Sequence, residues 1–182
     1  MNTKKEPDSR IDLRQARVVT YEKKIKELEI ACREHPDYPD LRFQLSVLYY
    51  GLGRIEEAIS KLETALDINP EYSRARRQLG LYYRDCGQYE KALEELEKII
   101  ARQEYDLETL KDLGDIASSI GRSEQAIGYY QKLIELNPRD FDVCLKLSAI
   151  YSDLGDYDEA IKLLRRAISL NPNYTDLHYN LG

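Results

Sequence analysis

A fixed 34-residue period runs through most of this 182-residue chain. The string LGRIEEAISKLETALDINP at 52–70 returns almost unchanged 102 residues later as LGDYDEAIKLLRRAISLNP at 154–172. Two related copies start between them, at Cys86 and Ile120. A period of this size predicts an array in which each repeat packs only on its neighbours, because one short unit cannot bury its apolar surface alone.

Each repeat is predicted to be a pair of helices. In 141–174, apolar residues first recur at helical spacing up to Leu154 and recur again from Tyr157 onward. Between the two runs, Gly155 can take a left-handed conformation that ends a helix, and Asp156 can cap the next one. Pro172 ends the second run, because proline cannot continue the helical hydrogen-bond ladder. The unit is therefore a helical hairpin.

Four copies share this frame, at 39–72, 73–106, 107–140 and 141–174. Small residues occupy one position of the first helix: Ser46, Gly80, Gly114 and Ser148. The turn position is always glycine: Gly53, Gly87, Gly121 and Gly155. One position of the second helix is always alanine: Ala58, Ala92, Ala126 and Ala160. The closing residue is Pro70, Glu104, Pro138 or Pro172.

In period, turn glycine, paired small residues and terminal proline, this pattern resembles the tetratricopeptide repeat (TPR) family. The resemblance implies an all-α fold, a right-handed superhelical solenoid of antiparallel helix hairpins. It also implies a concave groove, lined by the first helices, that binds other proteins. The family's large aromatic at the fourth repeat position is missing here, where Arg42, Arg76, Leu110 and Cys144 stand.

The two ends depart from the frame. Residues 1–8 read as disordered, and 9–38 reads as an N-terminal capping helix or degenerate repeat, because Val19 stands where the turn glycine should be. Residues 175–182 match the truncated first helix of a fifth repeat. This end either lies inside a longer protein or is a native end that a partner completes. As it stands, the open C-terminal end predicts homo-oligomer formation, which a full fifth repeat should weaken.

Composition narrows the functional classes. The net charge of −6 argues against a nucleic-acid or anionic-membrane binder. Three widely spaced cysteines support neither a disulfide framework nor a zinc site, and reduced, mostly buried thiols are expected. No apolar run approaches a membrane span and no signal-peptide pattern is present, so a cytoplasmic protein is indicated. No catalytic motif occurs, so we predict no enzyme activity and no cofactor.

The family's groove positions predict a partner-binding site. The residues assigned to it are Phe43, Val47, Tyr50, Arg74, Arg77, Leu81, Arg84 and Lys111. The first three form a stripe at helical spacing, which either binds a partner or is covered by the N-terminal helix. The three arginines either hold a ligand carboxylate or pair with Glu108 and Asp112 on the neighbouring helix. The predicted ligand is a protein or peptide with apolar and acidic character.

Neither possible register of the groove reproduces the clamp with which TPR co-chaperones hold chaperone C-termini. Three functional hypotheses remain open. The chain could be a non-catalytic scaffold that binds a partner peptide or helix in the groove. It could be a self-assembling homo-oligomeric scaffold. It could also be the targeting module of a larger, possibly enzymatic, protein.

Overall fold

The computed structural model describes residues 9–101 and 106–172, with side chains from residue 15 onward. Over these residues the chain forms nine α-helices and no β-strand. The helices are α1 (Ser9–Glu34), α2 (Pro39–Gly51), α3 (Ile55–Ile68), α4 (Ser73–Asp85), α5 (Tyr89–Ile100), α6 (Leu107–Ser119), α7 (Ser123–Leu136), α8 (Phe141–Asp153) and α9 (Tyr157–Leu170). The segments 1–8 and 175–182, for which the sequence predicts disorder and a fifth repeat, lie outside this description.

The turn inside each predicted hairpin depends on one glycine. Gly53, Gly87, Gly121 and Gly155 all have positive φ angles, between 73° and 80°. A side chain at such an angle brings Cβ close to the backbone, so glycine is the residue that makes the turn without strain. Asp156 then caps α9 by accepting a hydrogen bond from the Glu159 backbone N–H.

The first helix has no such turn. α1 runs without a break through Val19, where the later repeats have glycine. It packs on α2, and the Tyr49 hydroxyl of α2 donates to the Glu29 carboxylate of α1 at 2.8 Å. The ring of Tyr21 lies against Gly51, where an added Cβ would stand 2.6 Å from a ring carbon. The contact between the two helices therefore uses both a polar pair and a close ring-to-backbone approach.

The chain divides into two compact units, Met1–Cys86 and Gly87–Gly182. In the first unit α1, α2, α3 and α4 pack consecutively, and in the second α5 to α9 do the same. Each helix supplies one residue to a buried series spaced by 17 residues, half the repeat. In the first unit these residues are Leu28, Leu45, Leu62 and Leu79. In the second they are Leu96, Leu113, Tyr130, Leu147 and the half-buried Leu164.

Tyr130 is the exception in this series, and Gly114 accommodates it. The Tyr130 ring is 1% exposed. A Cβ on Gly114 would lie 2.4 Å from its Cε1 atom, so only glycine fits beneath the ring. α6 and α7 therefore approach each other closely at Gly114 and Tyr130.

The sequence predicts mostly buried thiols and no membrane-spanning segment, and the structure differs at one cysteine. Cys144 is buried and Cys32 is half-buried, but Cys86 is exposed at the end of α4, so the expectation of a buried thiol is wrong there. Burial raises the pKa of the Cys144 thiol. None of the helices described is both long and apolar enough to cross a membrane.

Candidate functional site

A largely apolar cavity of about 320 Å³ opens in the first unit. Its lining residues come from three helices. They are Lys24 and Leu28 of α1, Phe43, Gln44, Val47 and Leu48 of α2, and Arg74 of α4. Two cations thus lie beside four apolar side chains, and none of the described residues that line the cavity is a carboxylate. Val47 is 45% exposed, which makes it the most accessible apolar group of the wall.

Phe43 forms part of this wall but not part of an exposed stripe. It is only 6% exposed. The Tyr72 ring lies 5.8 Å from it at an angle of 44°, and the Arg74 guanidinium stands 4.5 Å above its face. The expectation of a continuous exposed stripe is therefore wrong at Phe43. Nor does α1 cover the stripe entirely, since Lys24 and Leu28 form a side of an open cavity.

Arg74 and Tyr72 are held in place around Phe43. The Tyr72 hydroxyl donates to the Asp40 carboxylate, and burial together with this hydrogen bond raises the pKa of Tyr72 to about 12. Arg74 itself is exposed, so its guanidinium edge remains accessible while its face contacts the ring. Cation–π contact of this kind orients the arginine and leaves its N–H donors for another group.

Tyr50 and Arg84 are both bound to one carboxylate. The Tyr50 ring stacks on Tyr82 with 4.2 Å between centroids and 2° between planes. Its hydroxyl donates to one Asp85 oxygen, and this hydrogen bond raises the pKa of Tyr50. Arg84 donates to the other Asp85 oxygen at 2.9 and 3.0 Å. Arg84 therefore pairs with its sequence neighbour, which neither of the two predicted alternatives included.

The three remaining predicted site residues are less exposed than Val47 and Arg74. Arg77 and Leu81 are half-buried on α4. Lys111 is half-buried on α6, in the second unit. In the first unit the structure thus brings Phe43, Val47 and Arg74 together at one cavity. Lys24 and Leu28 were missed because they lie on α1, before the first repeat, and Gln44 and Leu48 because the family's groove positions on α2 do not include them.

The second unit has a cavity of about 360 Å³, lined mostly by polar residues of α6, α7 and α8. The Tyr130 hydroxyl donates to Asp115 at 2.6 Å, and Lys146 donates to the same carboxylate oxygen. Burial, with the hydrogen bond to Asp115, raises the pKa of Tyr130. In the wall of this cavity the charge of Lys146 thus offsets the charge of Asp115.

Family models cover these repeats. Tetratricopeptide repeat models match residues 39–72, 71–139 and 129–162, and a TPR repeat model matches 149–182. Together they span 39–182, which includes the four predicted repeats and the predicted start of a fifth. No curated protein sequence matches the chain.

Solved structures share the fold. The crystal structure of MamA superposes with a TM-score of 0.76 at 20% identity, over 86% of this chain and 91% of that chain. The structure titled MamA 41-end, from Desulfovibrio magneticus RS-1, gives 0.74 at 21% identity, over 91% and 94%. YrrB, described as a TPR protein with an unusual peptide-binding site, gives 0.71 at 20% identity, over 85% and 79%. The fold is the all-α fold of TPR helix hairpins, and the chain belongs to the tetratricopeptide repeat family.

Proposed function

We propose that this protein is a non-catalytic interaction scaffold that binds a peptide or helix of a partner protein at the cavity between α1, α2 and α4. The observation that carries the proposal is the composition of the cavity wall. Leu28, Val47 and Leu48 offer apolar surface, while Lys24 and Arg74 place positive charge at its edge. A mostly apolar pocket with a few well-placed polar groups is the usual form of a ligand site.

The wall chemistry defines the ligand. Burying an apolar side chain in the cavity contributes about 25 cal/mol for each Å² removed from water. A volume near 320 Å³ accommodates one large anchor side chain rather than an extended apolar surface. Lys24 and Arg74 then favour an acidic group next to that anchor. Lys24 already makes an exposed pair with Glu27 at 3.2 Å, so Arg74 is the stronger determinant of the two.

The family and its structural relatives support this assignment at a coarser level. YrrB is described as having a peptide-binding site. The ligand class proposed for our chain is the same, although its position and chemistry are inferred from the residues of this cavity. Arg77, Leu81 and Arg84 lie further along α4 and are proposed as secondary contacts, since Arg84 is already held by Asp85.

Binding of defined peptides tests the proposal. Fluorescein-labelled peptides with a central Phe or Leu followed by Asp or Glu are titrated with the protein, beside peptides with Ser as the anchor or Lys as the charge. We expect the apolar–acidic peptides to bind best. Val47→Asp and Arg74→Glu should each weaken them by about tenfold or more, as interface anchors do.

Lys162→Ala on α9 is the matched control, since its side chain is 74% exposed in the second unit. Helicity by circular dichroism shows that each variant is folded. Equal affinity of wild type, Val47→Asp and Arg74→Glu for the apolar–acidic peptides would contradict the proposed site.

Self-assembly is the second candidate, favoured by an exposed apolar group in the last hairpin described. Leu154, Tyr157 and Ile161 are 51%, 64% and 38% exposed. Their equivalents in the first repeat, Leu52, Ile55 and Ile59, are half-buried or buried. Sedimentation velocity over a concentration series tests this candidate, and Tyr157→Lys should then lower the association. The third hypothesis, that the chain is the targeting module of a larger protein, stays a proposal. The sequence of the full-length gene product tests it.

A further inference from the structure

A second, differently lined cleft of about 500 Å³ opens in the first unit. Residues of α1, α2 and α3 line it. Its lining residues are Glu29, Cys32, Arg33, Arg42, Leu45, Lys61 and Thr64. It shares none of them with the cavity between α1, α2 and α4. Three cations and one carboxylate therefore surround the opening.

The three cations lie against or donate to uncharged groups. Arg33 Nε donates to the Glu29 backbone carbonyl, and Arg42 Nη1 donates to the Tyr38 backbone carbonyl, each at 3.3 Å. Lys61 Nζ lies 6.0 Å from the centre of the Tyr49 ring. Within the described part of the chain none of the three forms an ion pair. Each arginine retains further N–H donors, and the Lys61 ammonium retains its own.

The nearby carboxylates are already bound to other groups. Glu29, the acid in the cleft wall, accepts the Tyr49 hydroxyl at 2.8 Å. Hydrogen bonds from Arg54 hold Glu57 and lower its pKa, and the charge of Lys61 lowers that pKa further. The cleft thus carries an excess of positive charge that the described residues do not neutralise, on a chain whose net charge is −6.

The repeat provides its own comparison, because an equivalent cleft of about 270 Å³ recurs in the second unit between α7 and α9. The positions 102 residues after Arg33, Arg42 and Lys61 hold Glu135, Cys144 and Leu163. Two other cations line this second cleft: Lys162 pairs with Glu159 at 3.1 Å, and Arg166 donates to the Pro138 backbone carbonyl at 2.7 Å. The hairpins pack and form the cleft without the three cations. Repeat packing therefore does not explain why all three occur together at the first cleft.

We propose that the cleft between α1 and α3 binds an acidic segment of a partner protein, whose carboxylates pair with Arg33, Arg42 and Lys61. Guanidinium groups bind carboxylates through paired, charge-assisted hydrogen bonds. The wall also includes Leu45, Cys32 and the Thr64 methyl group, which suit a segment that carries small apolar residues between its acids. The overall negative charge of the chain disfavours a nucleic acid, whose binding depends on many cations. This surface is separate from the apolar cavity and does not rest on the function proposed for that cavity.

The probe for this cleft is a fluorescein-labelled peptide, Glu-Glu-Ala-Glu-Glu-Ala, which has no large anchor for the apolar cavity, and it is titrated by fluorescence anisotropy at low salt. The equivalent cleft has Glu135 and Leu163 at the positions of Arg33 and Lys61. The variants Arg33→Glu and Lys61→Leu therefore introduce side chains that the fold accommodates. We expect Arg33→Glu to weaken binding about tenfold and Lys61→Leu about fivefold, with the difference shrinking as salt screens the charges. Arg33→Gln, a milder change, should weaken it about threefold and serves if the reversal disturbs folding.

The controls separate this site from its alternatives. Lys162→Leu should bind the probe as the wild type does, and so should Val47→Asp, which tests the apolar cavity. Unchanged binding in both Arg33→Gln and Lys61→Leu would overturn the proposal. So would equal weakening by Lys162→Leu, which would indicate a general charge effect. Tighter binding of pyrophosphate or of a single-stranded DNA oligomer than of the peptide would also overturn it, by identifying a phosphate ligand.

Discussion

Gly114 and Tyr130 should behave as one coupled pair. In wild type, Gly114→Ala would place a Cβ 2.4 Å from Tyr130 Cε1 and 2.8 Å from two further ring carbons. Forcing an extra carbon into a packed core costs about 1–3 kcal/mol. The same change removes a glycine from the interior of α6, which favours the helix by about 1 kcal/mol. The net effect in wild type is therefore a loss of about 0–2 kcal/mol.

The sign should reverse once the ring is removed. Tyr130→Leu restores the leucine found at the equivalent positions of the other repeats, and it leaves room over Gly114. In that background Gly114→Ala should stabilise the protein by up to about 1 kcal/mol, through helix propensity and filling of the space. The coupling energy between the two sites is then about 1–3 kcal/mol, a value typical of residues in direct contact.

Urea denaturation followed by far-ultraviolet circular dichroism measures the four free energies of the cycle. Tyr130→Phe is the matched control, because it keeps the ring and removes only the hydroxyl that donates to Asp115. Gly114→Ala should remain destabilising or neutral in that background. If Gly114→Ala has the same effect beside Tyr130 and beside Leu at 130, the ring does not dictate the glycine and the reasoning is refuted.

Two further predictions concern stability. The ordinary pKa of tyrosine is 10.0. Burial, together with a hydrogen bond to Glu29, raises the pKa of Tyr49 to about 12. Burial is also the main reason why the pKa values of Tyr72 and Tyr82 are raised to about 12. Because the unfolded chain loses these protons first, the stability they contribute is intact below pH 10 and is lost as pH rises toward 12; a flat unfolding midpoint from pH 9 to about 12 would contradict this. Gly53→Ala should destabilise by about 1 kcal/mol because φ is +77°. Gly128→Ala, within α7 with open space around it, should stabilise the protein by up to about 1 kcal/mol. If thermal melts show that Gly53→Ala and Gly128→Ala change stability in the same direction, the backbone conformation does not explain the effect of Gly53.

The helices and turns were predictable because their causes are local. The positive φ of Gly53 follows from its place after one helical run and before the next, and the absence of a glycine at Val19 predicts the unbroken course of α1. The 17-residue spacing of the buried leucines is also visible in the sequence and would have identified Leu28 as a core position. Patterns of this kind depend on residue type and spacing alone.

The details of the site were not predictable, because they depend on which side chains meet across helices. Phe43 is buried through contacts with Tyr72 and Arg74, some thirty residues away. Arg84 pairs with Asp85, although residues adjacent in a helix do not normally face each other. The Tyr50 hydroxyl donates to the same Asp85 carboxylate, so one carboxylate binds both side chains. Family groove positions identify the faces of helices, whereas the cavity is set by the side-chain conformations that close or open it.

Methyl chemical-shift mapping tests the central claim, that a partner peptide binds at the cavity between α1, α2 and α4. The protein is labelled at Leu and Val methyl groups and titrated with the best apolar–acidic peptide. We predict that the methyl signals of Leu28, Val47 and Leu48 shift together with one dissociation constant, while those of Leu147 in the second unit do not move. Saturable shifts confined to the second unit, or an absence of shifts at Val47 while the peptide is bound, would contradict the account.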